Sequence, residues 1–285
     1  MFDLLQYAFI QNAFLTGTIV AIVAAVVGYF LVVRGLTFAG HALSHIGFAG
    51  AAGAVLLGLD PVFGLLIFTI SAGIGIGILG KELSERDIAI GIIMTLALGL
   101  GILFLSLYHG YAEQAYSILF GTILGISRLD VLVTALFGLL ILGTLLGVYR
   151  PLLFSSFDPE LAQARGIPVR LLGIIFLVLV AMTVSVSAQV VGVLLIFTLL
   201  VGPAATASRL VHRPVWTIAL AISLGLLYTW LGIFIAAYTN LPVSFCIATL
   251  SFGVYLPIRL LPRVKRRRRL IAPPSNISTL PTGER

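Results

Sequence analysis

Residues 171–208 read LLGIIFLVLVAMTVSVSAQVVGVLLIFTLLVGPAATAS, a run with no charged side chain between Arg170 and Arg209. As one helix it would extend about 57 Å at 1.5 Å per residue, against a bilayer core about 30 Å thick. It must fold back on itself, most simply at Ser187-Ala188-Gln189. Two spanning helices therefore lie inside one uninterrupted apolar stretch. Long unbroken runs without ten-residue alternation point to helices and exclude a barrel.

The same arithmetic extends outward along the chain. Charge-free runs cover residues 4–33, 35–59, 61–80, 88–112, 131–149, 171–208 and 214–258. The last must also fold back, most simply at Asn240-Leu241-Pro242. Nine spans follow, near 11–33, 38–58, 61–80, 88–107, 130–149, 170–187, 190–209, 214–238 and 242–261. The composition agrees, being 60% hydrophobic and 9% charged, where a soluble domain carries about 25% charged residues. The expected fold class is an all-α polytopic membrane protein with about nine transmembrane helices. The first residues lack a basic n-region, so no cleaved signal peptide is expected. The single cysteine, Cys246, excludes disulfides within the chain and thiolate metal clusters.

Basic residues set the expected orientation. With nine spans, Arg34, Lys81, Arg86, Arg150, Arg165, Arg170, Arg209 and Arg213 fall in loops on one side, and Arg128 on the other. The positive-inside rule places the C-terminus in the cytoplasm and the N-terminus outside. Residues 1–262 form the expected transmembrane domain. Residues 263–285 form a basic tail, from Arg263 through Arg269 and on, expected to be disordered and to meet anionic lipid head groups. Most of the net charge of +7 resides there. The tail lacks a folded domain to present it, so no nucleic acid partner is expected.

Loops are short. The outer loop 108–128 carries His109 and Glu113, which share a face if that loop is helical and are candidates for an outer contact with substrate or partner. The inner loop 151–168 reads PLLFSSFDPELAQARGIP. Asp158 can cap a helix, Pro159 fits its first position, and Glu160 in the first turn favours the dipole. Gly166 can close it with a left-handed cap. Such a two-turn helix is marginal alone in water and needs packing or a partner, with Phe157, Leu161 and Ala164 available as contacts.

His41 and His45 stand one helical turn apart at the start of a charge-free span. Side chains at that spacing share a face, with Cβ atoms roughly 6 Å apart, and two imidazoles so placed can grip one metal ion. Polar groups inside a span are expensive and are functional candidates by default. In contrast, Gly75-Ile76-Gly77-Ile78-Leu79-Gly80-Lys81-Glu82 has the spacing of a phosphate loop but fails it. Glu82 replaces the required hydroxyl, and the run ends a membrane helix instead of joining a strand to a helix.

Three segments taken together resemble the membrane subunit of the ABC-3 family of bacterial metal importers: residues 38–45, residues 156–166, and residues 190–209 with Val201-Gly202-Pro203-Ala204. The resemblance covers about residues 10–262. It implies a type II ABC importer-like permease in the bacterial cytoplasmic membrane, working as a homodimer with two cytoplasmic ATPases and an extracytoplasmic metal-binding protein. ATP hydrolysis is then expected in the separate ATPase. No cofactor is bound permanently; the ligand is the transported ion, zinc, manganese or iron(II). The resemblance also implies that 156–166 is the coupling helix on the ATPase, through Ser156, Phe157, Asp158, Pro159, Glu160, Leu161, Ala162 and Gly166. It implies that His41 and His45 contribute to the metal path. Many members carry Asp where this chain has His41. Losing that carboxylate favours zinc over manganese, since imidazole suits zinc and manganese prefers oxygen. Gln189 and Pro203 are candidates for a helix break beside the cavity. Two other readings stay open: an ABC permease for an organic metal chelate, and an ATP-independent metal carrier or channel. The spans hold no acidic residue away from their ends, which argues against proton or sodium coupling.

Overall fold

The computed structural model describes residues 7–79, 83–108, 121, 125–239 and 241–260, with the backbone alone at 83–86, 189, 190 and 194. The basic tail lies outside these residues, as do His109 and Glu113. The described chain contains α1 (Ala8–Val33), α2 (Thr37–Leu56), α3 (Pro61–Leu79), α4 (Leu83–Leu107), α5 (Arg128–Gly147), α6 (Tyr149–Phe157), α7 (Pro159–Ala164), α8 (Val169–Val191), α9 (Val193–Leu210), α10 (Pro214–Thr239) and α11 (Val243–Leu260).

Among the described residues nine helices reach 18 residues, and their bounds follow the expected spans to within a few residues. Seven are long and apolar enough to cross a membrane; α2 and α9 are the two that fall short. The shortfall in α2 has a cause. Gly40, Gly47, Gly50, Gly53, Ser44 and both histidines dilute its apolar character. α2 tolerates this because it faces protein, packing against α3, α4, α8 and α9. Small residues let helices approach closely where lipid supplies no hydrophobic drive. Gly50 and Gly64 do this between α2 and α3, since a side chain on either would run into the other's carbonyl. Two buried hydroxyls in this packing are satisfied: Ser44 donates to the Gly40 carbonyl at 3.1 Å, and Thr69 meets Ser185 across α3 and α8 at 2.7 Å.

The fold-back in 171–208 is present but displaced. Phe176 of α8 meets Phe30 edge-on at 6.2 Å, and the Leu200 carbonyl of α9 lies against Gly28, so both arms return to the same turn of α1. The corner is Gly192, with φ +85°, not Ser187-Ala188-Gln189. A corner of one residue requires a left-handed backbone, which glycine adopts without steric penalty. Gly192 is the glycine near the middle of the run, whereas Ser187 to Gln189 continue α8. The second fold-back falls where expected, between Thr239 and Val243.

Two further differences appear around α5. Residues 149–157, read above as the end of a span and the start of a loop, form α6, which continues α5 after a break at Val148. α5 itself opens with a reciprocal cap: the Asp130 amide donates to Ser127 Oγ at 3.2 Å and the Ser127 amide donates to Asp130 Oδ2 at 3.0 Å.

Most of the described arginines collect at one end of the bundle, while Arg128 stands apart at the start of α5. Arg34 reaches α6, Arg170 donates to the Ile78 carbonyl at the end of α3, and Arg209 donates to the Arg259 carbonyl at the end of α11.

Candidate metal site and docking helix

α2 is launched by a tight turn. The Leu36 amide donates to the Leu31 carbonyl at 2.9 Å and the Gly35 amide to Val32 at 3.2 Å, with Gly35 at φ +66°, a glycine-closed end to α1. The Gly40 amide then bonds back to Leu36 at 3.1 Å, which puts His41 in the second turn of α2. His41 and His45 lie edge to face, ring centroids 4.6 Å apart at 85°. Phe197, near the start of α9, closes on His41 at 4.8 Å and 65°. Both histidines are half-buried.

His41 Nδ1 is a buried nitrogen without a hydrogen-bond partner. Most buried polar atoms find a partner, so an orphaned one calls for an explanation such as an ion. The pair is not a complete metal cage. Among the described residues no group of three or more His, Cys, Asp or Glu side chains converges. In the edge-to-face arrangement the two rings lie against each other.

The other candidates sit elsewhere. Pro203 lies inside α9 with Cγ 3.7 Å from where a side chain on Gly225 would begin, so it packs against α10. Gln189 is in the last turn of α8, and its side chain is outside the described residues. Phe197 was not found by sequence reasoning. Its depth relative to α2 depends on where the α8–α9 corner falls, and no local pattern reveals that.

The short helix is α7. The Asp158 carboxylate accepts from the Leu161 amide at 2.9 Å, Pro159 opens the helix, and Glu160 occupies its first turn. Gly166 has φ +78°, with the Ile167 amide closing onto the Ala162 carbonyl at 3.0 Å. Phe157 is 64% exposed and Leu161 43% exposed, while Ala162 is buried. Two large apolar side chains thus stand exposed there, Phe157 at the end of α6 and Leu161 on α7.

The profile of the ABC 3 transport family matches residues 6–261. The chain belongs to that family. It is 36% identical over 240 residues to the manganese transport system membrane protein MntC of Listeria innocua, covering 84% of this chain and 85% of that protein. It is 35% identical over 253 residues to the manganese import system permease protein ScaB of Streptococcus parasanguinis, covering 88% and 90%. Among solved structures it superposes on PsaBC from Streptococcus pneumoniae, determined in complex with Fab, with a TM-score of 0.81 at 33% identity, covering 90% of this chain and 93% of that one. The ABC-3 permease fold, its helices and its multi-pass place in the bacterial inner membrane follow from these matches. The subunit carries transport and is not itself the catalytic subunit of such a system.

Proposed function

We propose that this chain is the membrane permease of an ATP-driven importer of divalent first-row metal ions, with His41 and His45 on the ion's path. The observation that carries the reading is the buried, partnerless Nδ1 of His41 beside a second imidazole one turn away. Manganese stands first as cargo, because relatives of about 35% identity are named for it. Zinc is the second reading. It rests on a donor pair made of imidazole alone, the ligand type that zinc favours and manganese favours less.

In the proposed cycle nine helices span the membrane, with the N-terminus outside and the arginine-rich end in the cytoplasm. An extracytoplasmic metal-binding protein docks on the outer face, where His109 and Glu113 are candidate contacts. It releases the ion into a cavity between two copies of the chain. Two imidazoles from each copy make a tetrahedral set of four, a number zinc accepts. Neither copy alone binds tightly enough to trap the ion. ATPases seated on the segment from Ser156 through Gly166, which carries α7, drive the reorganisation that releases it inward. The basic tail meets anionic lipid.

The test is uptake of radioactive Mn²⁺ and Zn²⁺ into vesicles holding the permease, its ATPase and its binding protein. Replacing His41 and His45 together by Ala should abolish uptake and leave the amount of inserted protein unchanged. Undiminished uptake in that variant removes the metal-path assignment. Uptake that persists without any ATPase favours the carrier reading, and uptake of a metal chelate but not of free ions favours the chelate reading.

A further inference from the structure

Arg34 occupies a joint that the proposed cycle leaves without a role. Its backbone belongs to the turn between α1 and α2. That turn is fixed at both ends by the Leu36-to-Leu31 and Gly40-to-Leu36 hydrogen bonds, and His41 is the next residue. Its side chain runs the other way. One terminal nitrogen donates to Ser155 Oγ at 3.2 Å and to Ser156 Oγ at 3.3 Å, in the last turn of α6. The guanidinium also stands 5.7 Å from the centre of the Phe176 ring of α8. The two hydroxyls are oriented to receive it, because each donates its own hydrogen to the Leu152 carbonyl, Ser155 at 3.0 Å and Ser156 at 2.6 Å. Their lone pairs are thereby left for the cation. Two residues past Ser156, Asp158 caps α7.

Beside this clasp lies a cleft of about 950 Å³, lined by Arg34, Leu36, Ser155, Gln163 and Arg170 among others. Pro159 and Gln163 of α7 border the cleft, so the short helix has room to shift toward the turn. A rigid turn at one end, a charged fork at the other and open space beside it form a contiguous mechanical link of the kind that carries coupling between sites.

We propose that Arg34 is a positioning residue that transmits displacement of α7 to the His41-bearing end of α2. The inference rests on the reading that α7 seats the ATPase and that His41 handles the ion. A pull on α6 acts on the guanidinium through two hydroxyls, and the turn converts it into a tilt of the first turns of α2. Arg suits this role because its planar guanidinium donates to both hydroxyls from one nitrogen while lying against the Phe176 ring, a geometry that the point charge of Lys does not fix. Stacking on Phe176 keeps the fork from swinging away as α6 moves.

The experiment uses the whole complex, permease with ATPase and binding protein, in proteoliposomes, and reads Mn²⁺ taken up per ATP hydrolysed. Arg34→Gln should lower that ratio by about fivefold or more, with ATP hydrolysis itself changed by less than about twofold, the size of a typical coupling energy between sites. Arg34→Lys should fall between wild type and Arg34→Gln. Ser155→Ala, which leaves the segment from Ser156 onward intact, should lower the ratio in the same direction, and adding it to Arg34→Gln should lower it no further, because both act through one link. A residue that merely held the fold together would lower uptake and hydrolysis in step. If Arg34→Gln fails to assemble, Ser155→Ala decides, since it leaves the cation in place. Wild-type uptake with an unchanged ratio in the Arg34→Gln and Ser155→Ala variants overturns the proposal alone. Wild-type vesicles that take up neither Mn²⁺ nor Zn²⁺ overturn the parent reading and this one with it.

Discussion

α2 has thirteen of its 20 residues buried and meets α3, α4, α8 and α9, whereas α7 has six residues and buries Ala162. Both carry a motif visible in the sequence, yet they are specified by different physics. α2 is weak in apolar character and holds its place through close glycine contacts with α3 and α4. α7 is held by its own ends: an aspartate, a proline and a glycine within nine residues. One is a tertiary construction and the other a local one, so a change of similar size should spread through the bundle from α2 and stay at the surface from α7.

The largest effect should come from Gly50→Leu. A Cβ there runs into the Gly64 carbonyl and comes within 2.7 Å of Phe68 Cβ, so α3 must move away bodily. Overpacking of this kind costs on the order of 3 kcal/mol, a large share of a typical stability. The yield of monodisperse protein in detergent and its thermal inactivation temperature should both drop sharply. Ala164→Leu on exposed α7 is the control and should change neither. Equal behaviour of the two variants breaks the comparison.

Next in size is the paired change Phe157→Ala and Leu161→Ala. Both side chains face outward, so thermal stability should hold. Binding to the purified ATPase should weaken by about tenfold to a hundredfold, the loss expected when exposed anchors of an interface are truncated. A titration of labelled ATPase against the permease in nanodiscs measures it. A fall in thermal stability with affinity unchanged would mean that these residues pack inward, contrary to the comparison.

The same contrast explains what could be read beforehand. The bounds of the long helices follow from run length against bilayer thickness, and α7 follows from Asp158, Pro159 and Gly166, because these are local rules. The His41–His45 pair was visible because an i, i+4 spacing is also local. The position of the α8–α9 corner was not read correctly. Ser187 and Gln189 look like an interruption, but a polar residue in a buried helix bonds back to its own turn, as Ser185 does to Ala181 at 3.0 Å. The corner needed a positive φ, and Gly192 supplied it. Phe197 over His41 and Arg34 over Ser155 were hidden for a related reason. Each pair joins residues more than a hundred positions apart, brought together only by how deep each helix sits.

The smallest effect tests the local side of the comparison most closely. Asp158→Ala removes the acceptor for the Leu161 amide, which is 2.9 Å from the carboxylate in the native helix. Losing such a cap costs about 1 kcal/mol, and it should fall on α7 alone, because Asp158 is exposed and its other bonds are backbone ones, from its own amide to the Phe154 carbonyl and from the Ala162 amide to its own carbonyl. Amide exchange at 161–164 should quicken several-fold while exchange in α2 stays as it was. Asp158→Asn keeps the acceptor and should stay close to wild type, which separates capping from charge. ATPase affinity should drop by about fivefold in the Ala variant, the factor that 1 kcal/mol represents if a pre-formed α7 is what the partner meets. If Asn and Ala behave alike, charge at the docking surface matters and the cap does not. If exchange in α2 quickens as well, α7 is not a local element, and the link through Arg34 already reaches the histidine helix in the resting protein.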